Sequence, residues 1–178
     1  KGEQLMERGL IHIYCGDGRG KTTAAVGLAV RAAGRGLRVL ISRFLKTEDS
    51  GEVEELRAIP GITVLPCERT FGFLFRMSPE QKREAARYFQ GQFEKTAAMA
   101  QDYDLLILDE IMASVNGGVV KEESVLQFLE EKPEGLEVVL TGRDPSEELM
   151  AKADYISRIQ AVRHPYEQGV TAREGIEY

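Results

Sequence analysis

The residue types with the greatest chemical potential stand together in Cys15-Gly16-Asp17-Gly18-Arg19-Gly20-Lys21-Thr22-Thr23, entered from the apolar run 10–14 and followed by Ala24-Ala25-Val26-Gly27-Leu28-Ala29-Val30. Glycines at this spacing let successive backbone N–H groups turn inward and converge on phosphate oxygens. A helix opening near Gly20 adds the positive end of its dipole, Lys21 a mobile cation and Thr22 a hydroxyl suited to Mg²⁺. The strict pattern of such a P-loop has Gly where this chain has Cys15. The Gly-x-Gly-x-Gly-Lys-Thr-Thr core is kept, with a strand before it and a helix after it. Gly16, Asp17, Gly18, Arg19, Gly20, Lys21, Thr22 and Thr23 are therefore the candidate nucleotide-binding residues, against the plainer reading of an ordinary flexible turn.

A second constellation closes the apolar run Asp104-Leu105-Leu106-Ile107-Leu108-Asp109-Glu110. Carboxylates at the end of such a strand reach a Mg²⁺ held by phosphates and the Thr22 hydroxyl, which makes Thr22, Asp109 and Glu110 the candidate metal residues. A carboxylate here could instead activate a water for phosphate hydrolysis, so Glu110 joins Lys21 as a candidate catalytic group. The plain alternative is a helix-capping Asp followed by a surface Glu. Arg143, after the run 136–141, could neutralise triphosphate charge or form a surface salt bridge.

These groups need elements to position them. The pattern predicts strands over 10–14, 37–45, 62–65, 104–110, 136–141 and 154–162. Helices are expected over 22–33, 52–58, from Ser78 and Pro79 towards Gln101, over 121–132 and over 146–151. Ser78 reads as an N-cap with Pro79 in the first turn, and Ala85, Phe89, Phe93, Ala97 and Ala100 trace one core-facing stripe. Strands alternating with helices, one of them apolar throughout, imply an α/β fold: a mostly parallel sheet flanked by helices, of the P-loop NTPase (RecA-like) type. Ligands in such folds bind at the carboxyl ends of strands, where all the candidate groups fall.

The 178 residues suit one domain over 1–178, 43% hydrophobic and 29% charged, as in a soluble globular protein. A formal charge of −6 gives no global electrostatic case for nucleic acid as partner. Two cysteines supply neither a disulfide framework nor a paired metal-ligand spacing, which fits a reducing cytoplasm. No long apolar segment or cleavable leader is visible, and no membrane partner is expected. Segment 1–9 reads as a frayed or short helical lead-in, and His12 as a packed or hydrogen-bonded strand residue. Phe71, Phe73 and Phe75 fall two residues apart in a predicted loop over 67–77. They form either a loop packed on the core or an apolar wall for a large flat ligand. The tail from His164 lacks a clear period.

Taken together, Gly16 through Ala25, Arg31-Ala32-Ala33-Gly34, Phe44-Leu45-Lys46, Gly72-Phe73, Leu108-Asp109-Glu110, Val139-Leu140-Thr141-Gly142-Arg143 and the ending from His164-Pro165-Tyr166 to Gly175-Ile176-Glu177-Tyr178 resemble the P-loop ATP:corrinoid adenosyltransferases, also called cob(I)yrinic acid a,c-diamide or cob(I)alamin adenosyltransferases. That family tolerates a non-glycine at the position of Cys15. The resemblance implies transfer of the 5′-deoxyadenosyl group of ATP to Co(I) of a corrinoid with release of triphosphate. ATP is expected in reversed sense, its γ-phosphate deep in the loop, with backbone donors from Gly18 to Thr22, Lys21 and Mg²⁺ stabilising the leaving group. Arg143 is expected to contact ATP. Phe73 matches the first aromatic that closes over the lower face of the corrin, and Phe75 falls where some relatives carry Trp. Arg43 departs from the Gln often found there. The resemblance further implies a homodimer that takes electrons from a reduced flavoprotein. The generic P-loop alone would fit a P-loop ATPase, a small-molecule kinase, or a nucleotide-binding regulatory module without turnover.

Overall fold

Segments rich in Val, Leu and Ile pair into one parallel sheet in the computed structural model, which describes residues 8–72 and 74–176. The strands are β1 Ile11–Cys15, β2 Val39–Arg43, β3 Ile62–Val64, β4 Leu105–Asp109, β5 Glu137–Thr141 and β6 Tyr155–Arg158, arranged β3-β2-β4-β5-β1-β6. Every pairing is parallel, so all six carboxyl ends share one edge. The helices are α1 Lys21–Ala33, α2 Glu52–Ala58, α3 Pro79–Met99, α4 Ile111–Asn116, α5 Glu122–Glu131 and α6 Glu147–Lys152. The α/β architecture agrees with the sequence reading.

Side chains alternate across a strand, and both faces of this sheet are covered, so the central strands are apolar throughout. In β4, Leu106 and Leu108 join Phe89, Phe93, Val125 and Leu140 on one face. Leu105 and Ile107 face the other way, against Ala25, Ala29, Val53 and Leu56. Each such aliphatic side chain withdrawn from water contributes about 1.5–3 kcal/mol before entropy is counted. The small residues Ala25, Ala29 and Ala32 recur at helical spacing and are buried, so α1 seats closely on the sheet beneath the phosphate loop.

α3 begins with a reciprocal cap: Ser78 Oγ accepts from Gln81 N at 3.2 Å and Gln81 Oε1 from Ser78 N at 2.8 Å. Its buried stripe runs through Ala85, Phe89, Phe93 and Thr96, so Thr96 takes the place expected for Ala97. The helix stops at Met99, and a single 3₁₀ turn, Ala100–Asp102, delivers the chain to β4.

The last strand departs most from expectation. It ends at Arg158 instead of running on to Val162, because the chain turns over the phosphate loop: Ile159 N donates to Cys15 O at 2.8 Å, and Gly18 N donates to Ile159 O at 2.8 Å. Beyond it the tail forms one 3₁₀ turn, Pro165–Gln168. Most of the expected lead-in, residues 1–7, lies outside the described residues. His12 is hydrogen-bonded to Glu137 and stacked 4.7 Å from the Tyr155 ring, a strand residue held by its neighbours as expected.

Candidate functional site

Cys15 is the last residue of β1, paired with Arg158 and 1% exposed, its side chain packed in the core. The chain first enters the left-handed region at Gly16, with φ 105°. The position where a strict loop has glycine is therefore ordinary strand, and a small apolar side chain suits it. Gly16 and Gly18 have a different constraint: a Cβ on either would run into the backbone of Ile159 or Gln160. Asp17 accepts from Ala161 N at 3.1 Å. That N–H and the Asp17 N–H hold its carboxyl below the usual carboxylate range. Arg19 donates to the Ile176 carbonyl. Three consecutive loop residues thus fasten the C-terminal segment. The Gly18 amide, expected among the phosphate donors, is committed to Ile159.

Lys21 is 8% exposed and folds back over the loop, Nζ donating to Gly18 O at 2.8 Å. Gly20, at φ 114°, caps α1, and the first-turn amides of that helix have no intrahelical partners. Thr22 Oγ1 donates to Asp109 Oδ1 at 2.9 Å, joining the loop to the end of β4 although β5 lies between β4 and β1. Thr141, ending β5, spans the gap: its fully buried hydroxyl donates to the same Oδ1 at 2.7 Å and accepts from Glu110 N at 2.9 Å. Thr141 was not among the sequence candidates. Its signal was a lone hydroxyl closing an otherwise apolar strand level with Asp109.

Asp109 is 2% exposed, and its Oδ2 receives no aligned hydrogen bond among the described residues. The charge facing that oxygen is Lys46, whose Nζ lies 2.5 Å from Oδ2 and donates to Thr22 Oγ1 at 3.1 Å. Glu110 follows at φ 59°, ψ 24°, a left-handed conformation outside glycine that starts α4. Burial pushes the Glu110 carboxyl up, and the Asp109 charge adds to this against Lys46, Lys21 and Arg143. Among the described residues no three His, Cys, Asp or Glu side chains gather as a self-sufficient metal cage. A hydroxyl, a buried carboxylate oxygen that receives no aligned hydrogen bond among the described residues and room for phosphate oxygens fit Mg²⁺, which commonly takes one or two carboxylates and completes its shell with substrate.

The loop carrying Lys46 is anchored from below. Arg43, 2% exposed, donates to Thr47 O at 2.9 Å and to Glu48 Oε1 at 2.8 Å, while its Nε has no hydrogen-bond partner among the described residues. Glu48 also accepts from Arg57 and from Cys67 N. Burial alone would raise its carboxyl, but these donors and the Arg57 and Arg43 charges hold it below the usual range.

Arg143 is exposed and forms no salt bridge among the described residues, while its charge acts on Asp17 and Glu110. The aromatic loop divides. Phe71 packs 5.3 Å from the Tyr88 ring and 5.4 Å from Phe89, with the Arg69 guanidinium 4.8 Å from its centroid. Leu74 seats on Gly117 at the end of α4, and Phe75 beside it is 80% exposed under Arg76. Phe73 lies outside the described residues. A cleft of about 590 Å³ opens between Thr22, Thr23 and Val26 of α1, the loop at Lys46 and Thr47, and Ile176 of the tail. That volume is within the range of small-molecule sites.

The family model described as ATP:corrinoid adenosyltransferase BtuR/CobO/CobP matches residues 7–178. The corrinoid adenosyltransferase of Escherichia coli K12 is 34% identical over 173 residues, covering 97% of this chain and 87% of that protein. Corrinoid adenosyltransferase CobA of Salmonella typhimurium LT2 is 33% identical with the same coverage. A corrinoid adenosyltransferase of Sinorhizobium is 30% identical, covering 97% of this chain and 81% of its own. With a P-loop joined to a buried strand-end carboxylate and a match along nearly its whole length, the chain belongs to the ATP:corrinoid adenosyltransferase BtuR/CobO/CobP family.

Proposed function

We propose that this chain transfers the 5′-deoxyadenosyl group of ATP to the Co(I) centre of a corrinoid. Co(I) supplies the electron pair, a Co–C5′ bond forms, the C5′–O bond breaks, and its electron pair leaves with inorganic triphosphate. The observation that carries this reading is a glycine-rich loop in which Lys21 folds back onto Gly18 O and Thr22 is bonded to Asp109, in a chain matched over residues 7–178 by this family. The protein needs no nucleophile of its own, so its work is placement and charge. First-turn amides of α1 and Lys21 stabilise the departing triphosphate, bound with its γ-phosphate deep in the loop. Arg143 adds a cation at the rim. Thr22 and Asp109, with Glu110 behind them, would hold Mg²⁺, which when bound neutralises triphosphate charge.

Phe75 and Phe73 are the proposed aromatic wall for the corrin, supported for Phe75 by its exposure next to the half-buried anchors Phe71 and Leu74. The same reading includes a cytoplasmic homodimer reduced by a flavoprotein. Support for the dimer comes from β6, an edge strand exposed on both faces from Tyr155 to Arg158. No described helix is long and apolar enough to cross a membrane. Incubation with MgATP and pre-reduced corrinoid should yield adenosylated corrinoid and triphosphate in equal amounts. Release of ADP and phosphate alone would overturn the reading in favour of an ATPase with Glu110 as its water-activating base.

A further inference from the structure

A carboxylate as enclosed as Asp109 needs a cation against it. In this structure that cation belongs to the protein. Lys46 Nζ contacts Asp109 Oδ2 at 2.5 Å and Thr22 Oγ1 at 3.1 Å, the same two side chains proposed to hold Mg²⁺. An ammonium and a metal ion cannot both sit against these oxygens, since Mg²⁺ binds oxygen at about 2.0–2.1 Å and the two cations would repel at contact.

Lys46 also has somewhere to go. It lines the cleft beside Thr22 and Thr23, on a loop whose base is pinned by Arg43 through Thr47 O and Glu48. The anchored backbone keeps the residue at the mouth, while four methylenes let the ammonium swing. Lys21 is held elsewhere, its Nζ donating to Gly18 O at 2.8 Å.

We infer that Lys46 is the resident counter-ion of the metal position in the nucleotide-free protein, and that it yields this place to Mg²⁺ as its ammonium moves onto the entering triphosphate. Asp109 then has a cation partner at every stage, and Lys46 exchanges one anion for another. Metal alone has to displace a bonded ammonium, whereas metal arriving with triphosphate gives that ammonium a new partner. Binding of the two becomes coupled. The inference rests on the reading of Thr22 and Asp109 as the metal-holding pair.

The test uses Mn²⁺ alone as probe, followed by electron paramagnetic resonance, on nucleotide-free wild type, Lys46→Met and the double variant Lys46→Met/Asp109→Asn. Lys46→Met should bind Mn²⁺ roughly tenfold or more tightly than wild type, and should bind metal-free inorganic triphosphate roughly tenfold more weakly. Equal Mn²⁺ affinity in wild type and Lys46→Met, with loss in the double variant, would overturn the role of Lys46 and leave the metal pair intact. Mn²⁺ binding indifferent to Asp109→Asn would instead remove the metal pair itself. Unchanged triphosphate affinity would overturn the transfer of the ammonium. Far-UV circular dichroism checks folding, and Lys46→Gln serves in the same titrations should the Met variant not fold.

Discussion

Gly18 donates its backbone N–H to the carbonyl of Ile159 at 2.8 Å, tying the phosphate loop to the chain that leaves β6. A Cβ at residue 18 would lie 2.6 Å from Gln160 C and 2.8 Å from Ile159 O, backbone atoms that cannot turn aside like a side chain. Gly18→Ala must therefore lift segment 159–161 or reshape the loop. Overpacking of this kind costs about 1–3 kcal/mol. The expected outcome is a lower melting temperature with a weakened ATP affinity, measured by thermal unfolding and calorimetric titration. Wild-type values for both would contradict the close packing.

Thr141 serves Asp109 and Glu110 at once, so its hydroxyl is worth more than one ordinary hydrogen bond. Thr141→Val keeps the shape and leaves the Glu110 N–H without its acceptor and Asp109 Oδ1 with only Thr22. Each buried group left unsatisfied costs about 1–3 kcal/mol. Thr141→Val should lose stability on that scale and turn over more slowly, while Thr141→Ser should recover most of both. Chemical denaturation of the two variants decides it. A Thr141→Val protein as stable and as active as wild type would contradict the double role of the hydroxyl.

The contrast between Asp109 and Thr141 marks how far the sequence could be read. Local signals were legible: glycine spacing for the loop, an apolar run ending in carboxylates for β4, Ser78 and Pro79 for the start of α3. Which strands become neighbours is set by tertiary pairing, and no local signal says that β5 inserts between β1 and β4. Thr141 owes its role entirely to that insertion. The same holds for β6, whose early end at Arg158 follows from the bond between Ile159 and Gly18, and for Lys46, which meets Asp109 only once β2 lies beside β4. Phe71 and Phe75 looked alike in sequence because spacing in a loop does not fix a face.

Glu110 makes a prediction about pH. Its carboxyl titrates above the ordinary range because burial, and then Asp109, disfavour the charge. The folded chain therefore holds this proton more tightly than the unfolded chain. Stability from this residue is greatest in acid, falls as pH rises from the ordinary Glu value of about 4.3 through the raised one, and stays lowered above it. Glu110→Gln is neutral throughout and similar in size. In metal-free buffer it should melt above wild type at pH 7 to 8, with the gap closing towards pH 4. Its turnover with MgATP and reduced corrinoid should fall about 10- to 100-fold, the scale seen when groups around a metal are changed. A variant no more stable than wild type at pH 8 would mean that the carboxylate is not disfavoured there.

Phe71 and Phe75 separate packing from ligand contact within one loop. Phe71 lies among Tyr88 and Phe89, so Phe71→Ala should cost about 2 kcal/mol or more in unfolding free energy, in line with partial loss of an aromatic contact cluster. Phe75 is 80% exposed, and Phe75→Ala should change stability by less than about 0.5 kcal/mol. If the exposed ring closes on the corrin, its loss falls on the step that needs the corrin's lower face covered. Turnover starting from Co(II) corrinoid should drop several-fold more than turnover starting from pre-formed Co(I). ATP affinity, proposed to be set at Lys21 and Thr22, should stay at the wild-type value. A Phe75→Ala protein with equal losses from Co(II) and Co(I) would place that ring outside the reaction, and the aromatic wall would then rest on Phe73.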